Sequence, residues 1–229
     1  MNGLSVVIPS KTSSNLVPCF AAVRQNEPRA RIIVIDDGLQ TVPAFQENVE
    51  VIQGIQPFCF ARNVNLGIQA AGDDDVVVLN DDALLQTPGG FSLLQRSVRA
   101  HLWSGIVSST TNVTGNLNQQ PRRDLAAGFR IEPGAIAFIA VLLPRTTIDR
   151  VGLMDERFGG LTPAGKRIYG WCDNDYCRRV RNAGLNVAIH DGCFVDHASL
   201  RSTFRGHPHA AGDTSEGAKL YKAKWGDLH

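Results

Sequence analysis

A chain of 229 residues is long enough to bury one sizeable hydrophobic core, so a single domain over residues 1–229 is expected, with two as the outer limit. Its 23 basic and 22 acidic residues nearly cancel, which excludes a bulk pull toward nucleic acid or an anionic membrane and leaves only local basic patches to consider. The longest apolar run, Ala135 to Leu143, is too short to span a bilayer, and Met1-Asn2-Gly3-Leu4 leads straight into a strand-like run without the marks of a signal peptide.

Along the first 110 residues one rhythm repeats: a short apolar run, a polar break, then a helix-like stretch. Ser5 to Ile8 ends in Pro9-Ser10, Ile32 to Ile35 in Asp36-Asp37-Gly38, Val49 to Ile52 in Gln53-Gly54, and Val76 to Leu79 in Asn80-Asp81-Asp82. Such β-branched runs read as buried parallel strands. Between them, Leu16, Phe20 and Val23 recur at helical spacing, as do Phe60, Val64, Ile68 and Ala71, and then Phe91, Leu94, Val98 and Leu102. Alternating strands and helices imply an α/β fold with a mostly parallel, doubly wound sheet and helices on both faces. Ligands of such sheets sit beyond the carboxyl ends of the strands, where two of these runs carry paired aspartates.

The second half is less regular. Ala135 to Leu143 reads as a long buried strand, Asn112 to Asp124 as a polar loop, and Gly159 to Gly170 as a mobile lid. A helix is expected from about Asp173 to Ala183, stopped by Gly184, then a strand Val187 to Ile189 and an irregular tail with histidines.

Several of these residues can carry chemistry. Carboxylates clustered past a buried strand, as in Asn80-Asp81-Asp82, hold hard cations such as Mg²⁺ or Mn²⁺, or form an Asx-rich turn that caps the next helix. Asp37 can accept hydrogen bonds from a nucleobase or ribose, or close a plain turn. Arg62 can hold a donor base or phosphate, or be a solvated arginine at a helix start. Asp173 opens a helix after the lid and suits a general base, although a helix start favours the anion and should lower its pKa. Asp175 can pair with Arg179 one turn on. His197 can add a neutral imidazole to a metal shell or be structural, and a zinc site of Cys172, Cys177, His190 and His197 is a weaker option because its spacing fits no common pattern. Arg122, Arg123, Arg201 and Arg205 can meet a phosphate-bearing acceptor, but solvated surface is preferred.

Taken together and in order, the motifs resemble the inverting GT-A glycosyltransferases of the family 2 type. The matching pieces are Ser5-Val6-Val7-Ile8-Pro9-Ser10, Ile33-Val34-Ile35-Asp36-Asp37-Gly38, Ala61-Arg62-Asn63-Val64-Asn65-Leu66-Gly67 and Val78-Leu79-Asn80-Asp81-Asp82. They continue with Val151 to Phe158, Cys172 to Arg179, Asn182-Ala183-Gly184, Val195-Asp196-His197 and Lys224-Trp225-Gly226. The resemblance implies that Asp37 reads the donor base beside Pro9 and Ser10, that Asp81 and Asp82 form the donor motif, and that Asp82 and His197 ligate a divalent cation, Mn²⁺ or Mg²⁺; Asn80 can hydrogen-bond the donor's ribose. It also implies that Asp173 is the catalytic base and that Asp155 and Glu156 lie near the acceptor and support the core. Trp171 itself can offer a flat face to an acceptor ring or sit in the core. Two departures stand out: Asn80 replaces a frequent aspartate, and Cys172 replaces the glutamate that usually precedes the base.

The expected activity is metal-dependent transfer of a sugar, with inversion, from a UDP-, GDP- or dTDP-type donor to a hydroxyl acceptor. A saccharide is the first candidate acceptor, and a modified nucleic acid is another. Residues 1–110 would bind the donor, and residues 111–229 the acceptor. Gly159 to Gly170 and Arg201 to Glu216 would close over the site to exclude water. The alternatives are a sugar nucleotidyltransferase, disfavoured because Ser10-Lys11-Thr12-Ser13-Ser14 has no glycine, and a non-catalytic nucleotide-binding or scaffolding protein with a decayed site. Five cysteines without a CxxC pair fit a reduced, cytoplasmic setting.

Overall fold

Val6, Ile8, Ile32, Val34, Val77 and Leu79 point to one side of a sheet, while Val7, Ile33, Ile35, Val76 and Val78 point to the other. This period-two alternation of wholly apolar strands requires cover on both faces, and the computed structural model supplies it. It describes residues 2–41, 48–122, 128–166, 168–200 and 214–226. The strands are β1 (Leu4–Ser10), β2 (Arg31–Asp36), β3 (Val49–Gln53), β4 (Asp75–Leu79), β5 (Leu84–Leu85), β6 (Ser104–Thr111), β7 (Phe129–Ile131), β8 (Ala140–Leu143) and β9 (Asn186–Asp196). The helices are α1 (Ser13–Asn26), α2 (Phe60–Ala70), α3 (Gly90–Ala100), α4 (Arg145–Val151), α5 (Cys172–Asn182) and α6 (Thr214–Trp225).

Among the described residues the strands form one sheet in the order β3-β2-β1-β4-β8-β6-β9-β5, with β7 also on β9. The pairings among β3, β2, β1 and β4 are parallel, as the early rhythm predicts. The second half is mixed: β8 runs antiparallel to both β4 and β6, β9 is parallel to β6, and β5 and β7 are antiparallel to β9. Helices α1 and α3 cover one face, and α2, α4, α5 and α6 contribute to the core on the other. Helix α2 lies so close to β1 that a Cβ on Gly67 would stand 2.2 Å from Val7 Cγ1, so only glycine permits the contact. No helix among the described residues is long and apolar enough to cross a membrane.

Several expectations for the second half are corrected. The run from Ala135 is a strand only from Ala140; the residues just before it, Ala137, Phe138 and Ile139, line the cavity described below. Strand β9 is far longer than Val187 to Ile189, and β6, α4 and the C-terminal helix α6 were not expected. The polar loop after Asn112 contains a 3₁₀ turn, Leu117–Gln119, whose Gln119 is fully buried. Cys19 rather than Phe20 fills the core under α1.

Candidate functional site

One cavity of about 810 Å³ opens at the carboxyl ends of β1, β2 and β4. Pro9, Ser10, Asp37, Asn80, Asp81 and Asp82 line one side of it, with Lys11 and His197. Parallel register puts Ser10 beside Asp36, and the Asp37 N–H donates to the Ser10 carbonyl at 2.8 Å, so the first two strand ends advance together. The paired aspartates then divide their tasks. Asp36 Oδ1 accepts from the N–H groups of Gly38 and Leu39 at 2.8 and 2.6 Å and closes the turn. Asp37 instead lines the cavity, its Oδ1 held by Gln56 Nε2 at 3.0 Å and Asn63 Nδ2 at 3.3 Å.

At the end of β4 the two carboxylates also differ. Ser10 Oγ donates to Asp81 Oδ2 at 2.7 Å across 71 residues of chain. Burial pushes the Asp81 carboxyl up to about 6, against the Ser10 hydroxyl bond that lowers it. Asp82 meets His197, which follows β9: Nε2 of the ring lies 3.0 Å from Asp82 Oδ1. The other ring nitrogen, Nδ1, lies 2.8 Å from the Val113 carbonyl, an acceptor only, and must carry a proton. Nε2 in turn faces the Asp82 carboxylate, also an acceptor only, so the ring donates to Asp82 when Nε2 is protonated, and a cation held beside Asp82 would take that proton's place. Long-range pairing makes this meeting: Leu84 sits opposite Asp196, and Asn112 accepts the His197 N–H at 2.8 Å and donates to Asp196 at 2.7 Å.

Asp173, in the first turn of α5, also lines the cavity. Burial pushes its carboxyl above the ordinary carboxylate range, outweighing the Asn174 N–H that donates to Oδ1 at 2.9 Å. The lowering expected from its helix-start position is thus reversed, and a raised pKa makes a better base near neutral pH. Two residues on, Asp175 is fully buried and spoken for. Arg179 Nε reaches it at 2.9 Å, the pairing expected one turn away, with Lys224 Nζ at 2.7 Å and Trp225 Nε1 at 2.8 Å. These bonds pin the start of α5 to α6.

The model of glycosyl transferase family 2 matches residues 5–151, well over half of the chain. The chain belongs to this family. Two solved structures agree on the fold that the motifs imply, GT-A. The crystal structure of GalNAc-T7 with UDP, GalNAc and Mn²⁺ superposes with a TM-score of 0.69 at 14% identity, covering 86% of this chain and 44% of that one. Residues 1–349 of S. aureus TarS give a TM-score of 0.58 at 10% identity, covering 84% of this chain and 60% of that one. The chain thus spans less than two thirds of the length of each. No curated protein sequence matches it.

Within this family member, three expected site residues lie elsewhere. Arg62, Asp155 and Glu156 do not line the cavity; they tie its walls together from behind. Glu156 accepts from Arg62 at 3.3 Å and from Asn65 Nδ2 at 3.0 Å, joining α2 to the 3₁₀ turn Glu156–Gly159. Asp155 pairs with Arg157 at 2.6 Å and with Lys224 at 2.8 Å, contacts that hold its carboxyl well below the usual range. Opposite charge within reach explains both: an acid facing a basic partner is spent on packing. Trp171 does line the cavity.

The Gly159 to Gly170 segment is likewise a wall, supplying Gly159, Ile168, Tyr169 and Gly170. The four-residue zinc option does not assemble: no group of three or more His, Cys, Asp or Glu side chains among the described residues could hold a metal. Arg123, Arg201, Arg205 and the proposed closing stretch up to Asp213 lie outside the described residues. Sequence reading missed Lys11, Phe58, Phe60, Phe138, Phe158 and Tyr169 as cavity residues. The aromatic pairs Phe58/Phe60 and Tyr169/Trp171, each flanking one residue, were the available signal.

Proposed function

We propose that the chain is a metal-dependent glycosyltransferase that moves a sugar from a nucleoside-diphosphate sugar to a hydroxyl acceptor with inversion. One observation carries this reading: a single cavity at the strand ends is lined by Asp37, Asp82, His197 and Asp173 together. Asp37, oriented by Gln56 and Asn63, suits an N–H or hydroxyl of the nucleoside.

The donor set of Asp82 and His197 fits a divalent cation. Once Nε2 gives up its proton, His197 would offer an imidazole nitrogen beside the hard Asp82 carboxylate, and the ring's other nitrogen is anchored on a backbone carbonyl, as metal-bound histidines usually are. Two protein ligands leave room for diphosphate oxygens, in keeping with the absence of a larger ligand cluster among the described residues. A bound Mn²⁺ or Mg²⁺ would supply charge neutralisation to the leaving diphosphate.

In the single displacement the acceptor oxygen bonds to the anomeric carbon while the bond from that carbon to the diphosphate oxygen breaks. The electron pair leaves with the diphosphate, and the hydroxyl proton passes to the Asp173 carboxylate. The UDP and Mn²⁺ bound to GalNAc-T7 support a UDP-type donor as the first to test. Residues 1–110 supply most of the donor side, and the wall from Phe138 to Asn174 supplies the acceptor side.

The test is thermal stability against UDP, GDP, dTDP and their sugars, with and without Mn²⁺, followed by product analysis. A metal-dependent rise for one nucleotide and an inverted anomeric product are expected. No rise with any of them would overturn the reading in favour of a non-catalytic protein.

A further inference from the structure

Resting on that reading, the wall around the base points to the chemistry of the acceptor. Phe138, Phe158, Ile168, Tyr169, Trp171 and Cys172 make up most of it. Among the described residues, the polar groups beside them in the cavity lining are the Tyr169 hydroxyl, Asp173, Asn174 and Thr214. Cys172 adds no charge: burial drives its thiol well above its ordinary range, and a buried neutral thiol packs as a small apolar group.

Trp171 is held with particular care. Its backbone lies at φ 67°, in the left-handed region that a bulky side chain rarely enters, directly after Gly170 at φ 73°. The indole Nε1 donates to the Thr214 carbonyl at 3.1 Å, so the ring's polar edge is already used. Tyr221 lies against the ring at 5.2 Å between centroids, and a Cβ on Gly217 would come within 2.7 Å of Trp171 Cδ1. Helix α6 therefore backs the indole closely and fixes it two residues from the base. What the ring still offers a ligand is carbon surface.

Among the described residues a sugar or other polyol entering here would find few partners for its spare hydroxyls on this wall, and each buried hydroxyl without one is costly. A flat ring would stack or pack edge-on against Trp171 and Tyr169 at no such cost. We propose that the acceptor is an aromatic alcohol, a flat ring whose reacting hydroxyl sits on the ring or one carbon from it, presented to Asp173 by the Trp171 wall. Transfer then forms the bond from that oxygen to the anomeric carbon, and the hydroxyl proton goes to Asp173.

The test uses the full chain, Mn²⁺ and whichever nucleotide sugar raises the melting temperature. 4-Hydroxybenzyl alcohol and methyl glucoside are offered as competing acceptors. The aromatic alcohol is expected to give at least about ten-fold higher kcat/KM, the scale of losing one aromatic stacking contact. Trp171→Ala should raise its KM about ten-fold while leaving the donor-induced shift unchanged, and Trp171→Phe should recover most of the loss. Equal or faster transfer to methyl glucoside by the unaltered protein overturns the proposal, whether or not the variants fold. So does a donor that binds but is never transferred to the aromatic alcohol. A chain that binds no nucleotide sugar at all counts instead against glycosyl transfer itself.

Discussion

On the donor side of the cavity, Ser10, Asp37, Asp81 and Asp82 each stand within three residues of the end of a parallel strand. On the base side, Phe138, Phe158, Tyr169, Trp171 and Asp173 come from turns and a helix start, and no ladder pairing fixes them. The first set is placed by sheet register, which any residue with the right backbone would obey. The second is placed by individual side chains reaching from elsewhere: Gln119 beneath residues 137–139, Asp155 and Asp175 to Lys224, and Trp171 to α6. A register is robust to substitution at its ends, whereas a clip is lost with its one residue. The donor side should therefore answer mutation through chemistry alone, and the base side through both chemistry and geometry.

The largest expected effect is at the base. Asp173→Asn should lower kcat about 10²- to 10⁴-fold, the usual contribution of a general base, while leaving metal-dependent donor stabilisation intact. With its pKa raised by burial, the carboxyl must lose its proton to act, so the rate of the unaltered enzyme should fall with decreasing pH at values above the ordinary carboxylate range. A pH–rate profile without that acid limb would remove Asp173 from the role.

Next comes the metal pair. His197→Ala should weaken Mn²⁺-dependent activity about 10- to 100-fold, and excess chelator should abolish it, read by titrating Mn²⁺ into the transfer assay. Full activity in chelator would break the assignment of Asp82 and His197.

Gln119→Ala tests the clipped side. Gln119 donates to Ser108 Oγ at 2.8 Å and the Ala137 carbonyl at 3.0 Å, and accepts from the Ala137 N–H at 2.8 Å and Thr114 Oγ1 at 3.0 Å. Its loss strands several buried groups, so unfolding free energy should drop by about 1–3 kcal/mol, with acceptor KM raised and donor affinity unchanged. An equal effect on donor affinity would mean that the two sides are not separately built.

Asp155→Asn should be the mildest. Its folded pKa is depressed, so its contribution is present above the unfolded carboxylate pKa and is lost as pH falls through the acid range. Because Arg157 is largely exposed, about 1 kcal/mol is expected at pH 7, shrinking toward zero in strong acid, by urea unfolding at several pH values. A difference independent of pH would assign the loss to packing rather than charge.

Periodicity alone made the parallel half of the sheet, its order of strand and helix, and the strand-end carboxylates legible. Each of those depends on residues close in sequence: four β-branched positions, a polar break, a helical stripe. The pairing of Asp175 with Arg179 was legible for the same reason, since one helical turn is a local distance. Only the tertiary structure decided that β8 turns antiparallel, that His197 meets Asp82 across a sequence separation of 115, and that burial lifts the Asp173 carboxyl against the lowering expected at a helix start. It also decided that Asp155 and Glu156 face basic partners instead of the cavity. Burial and charge pairing depend on what the rest of the chain packs alongside a residue, and neighbours in sequence carry no record of that.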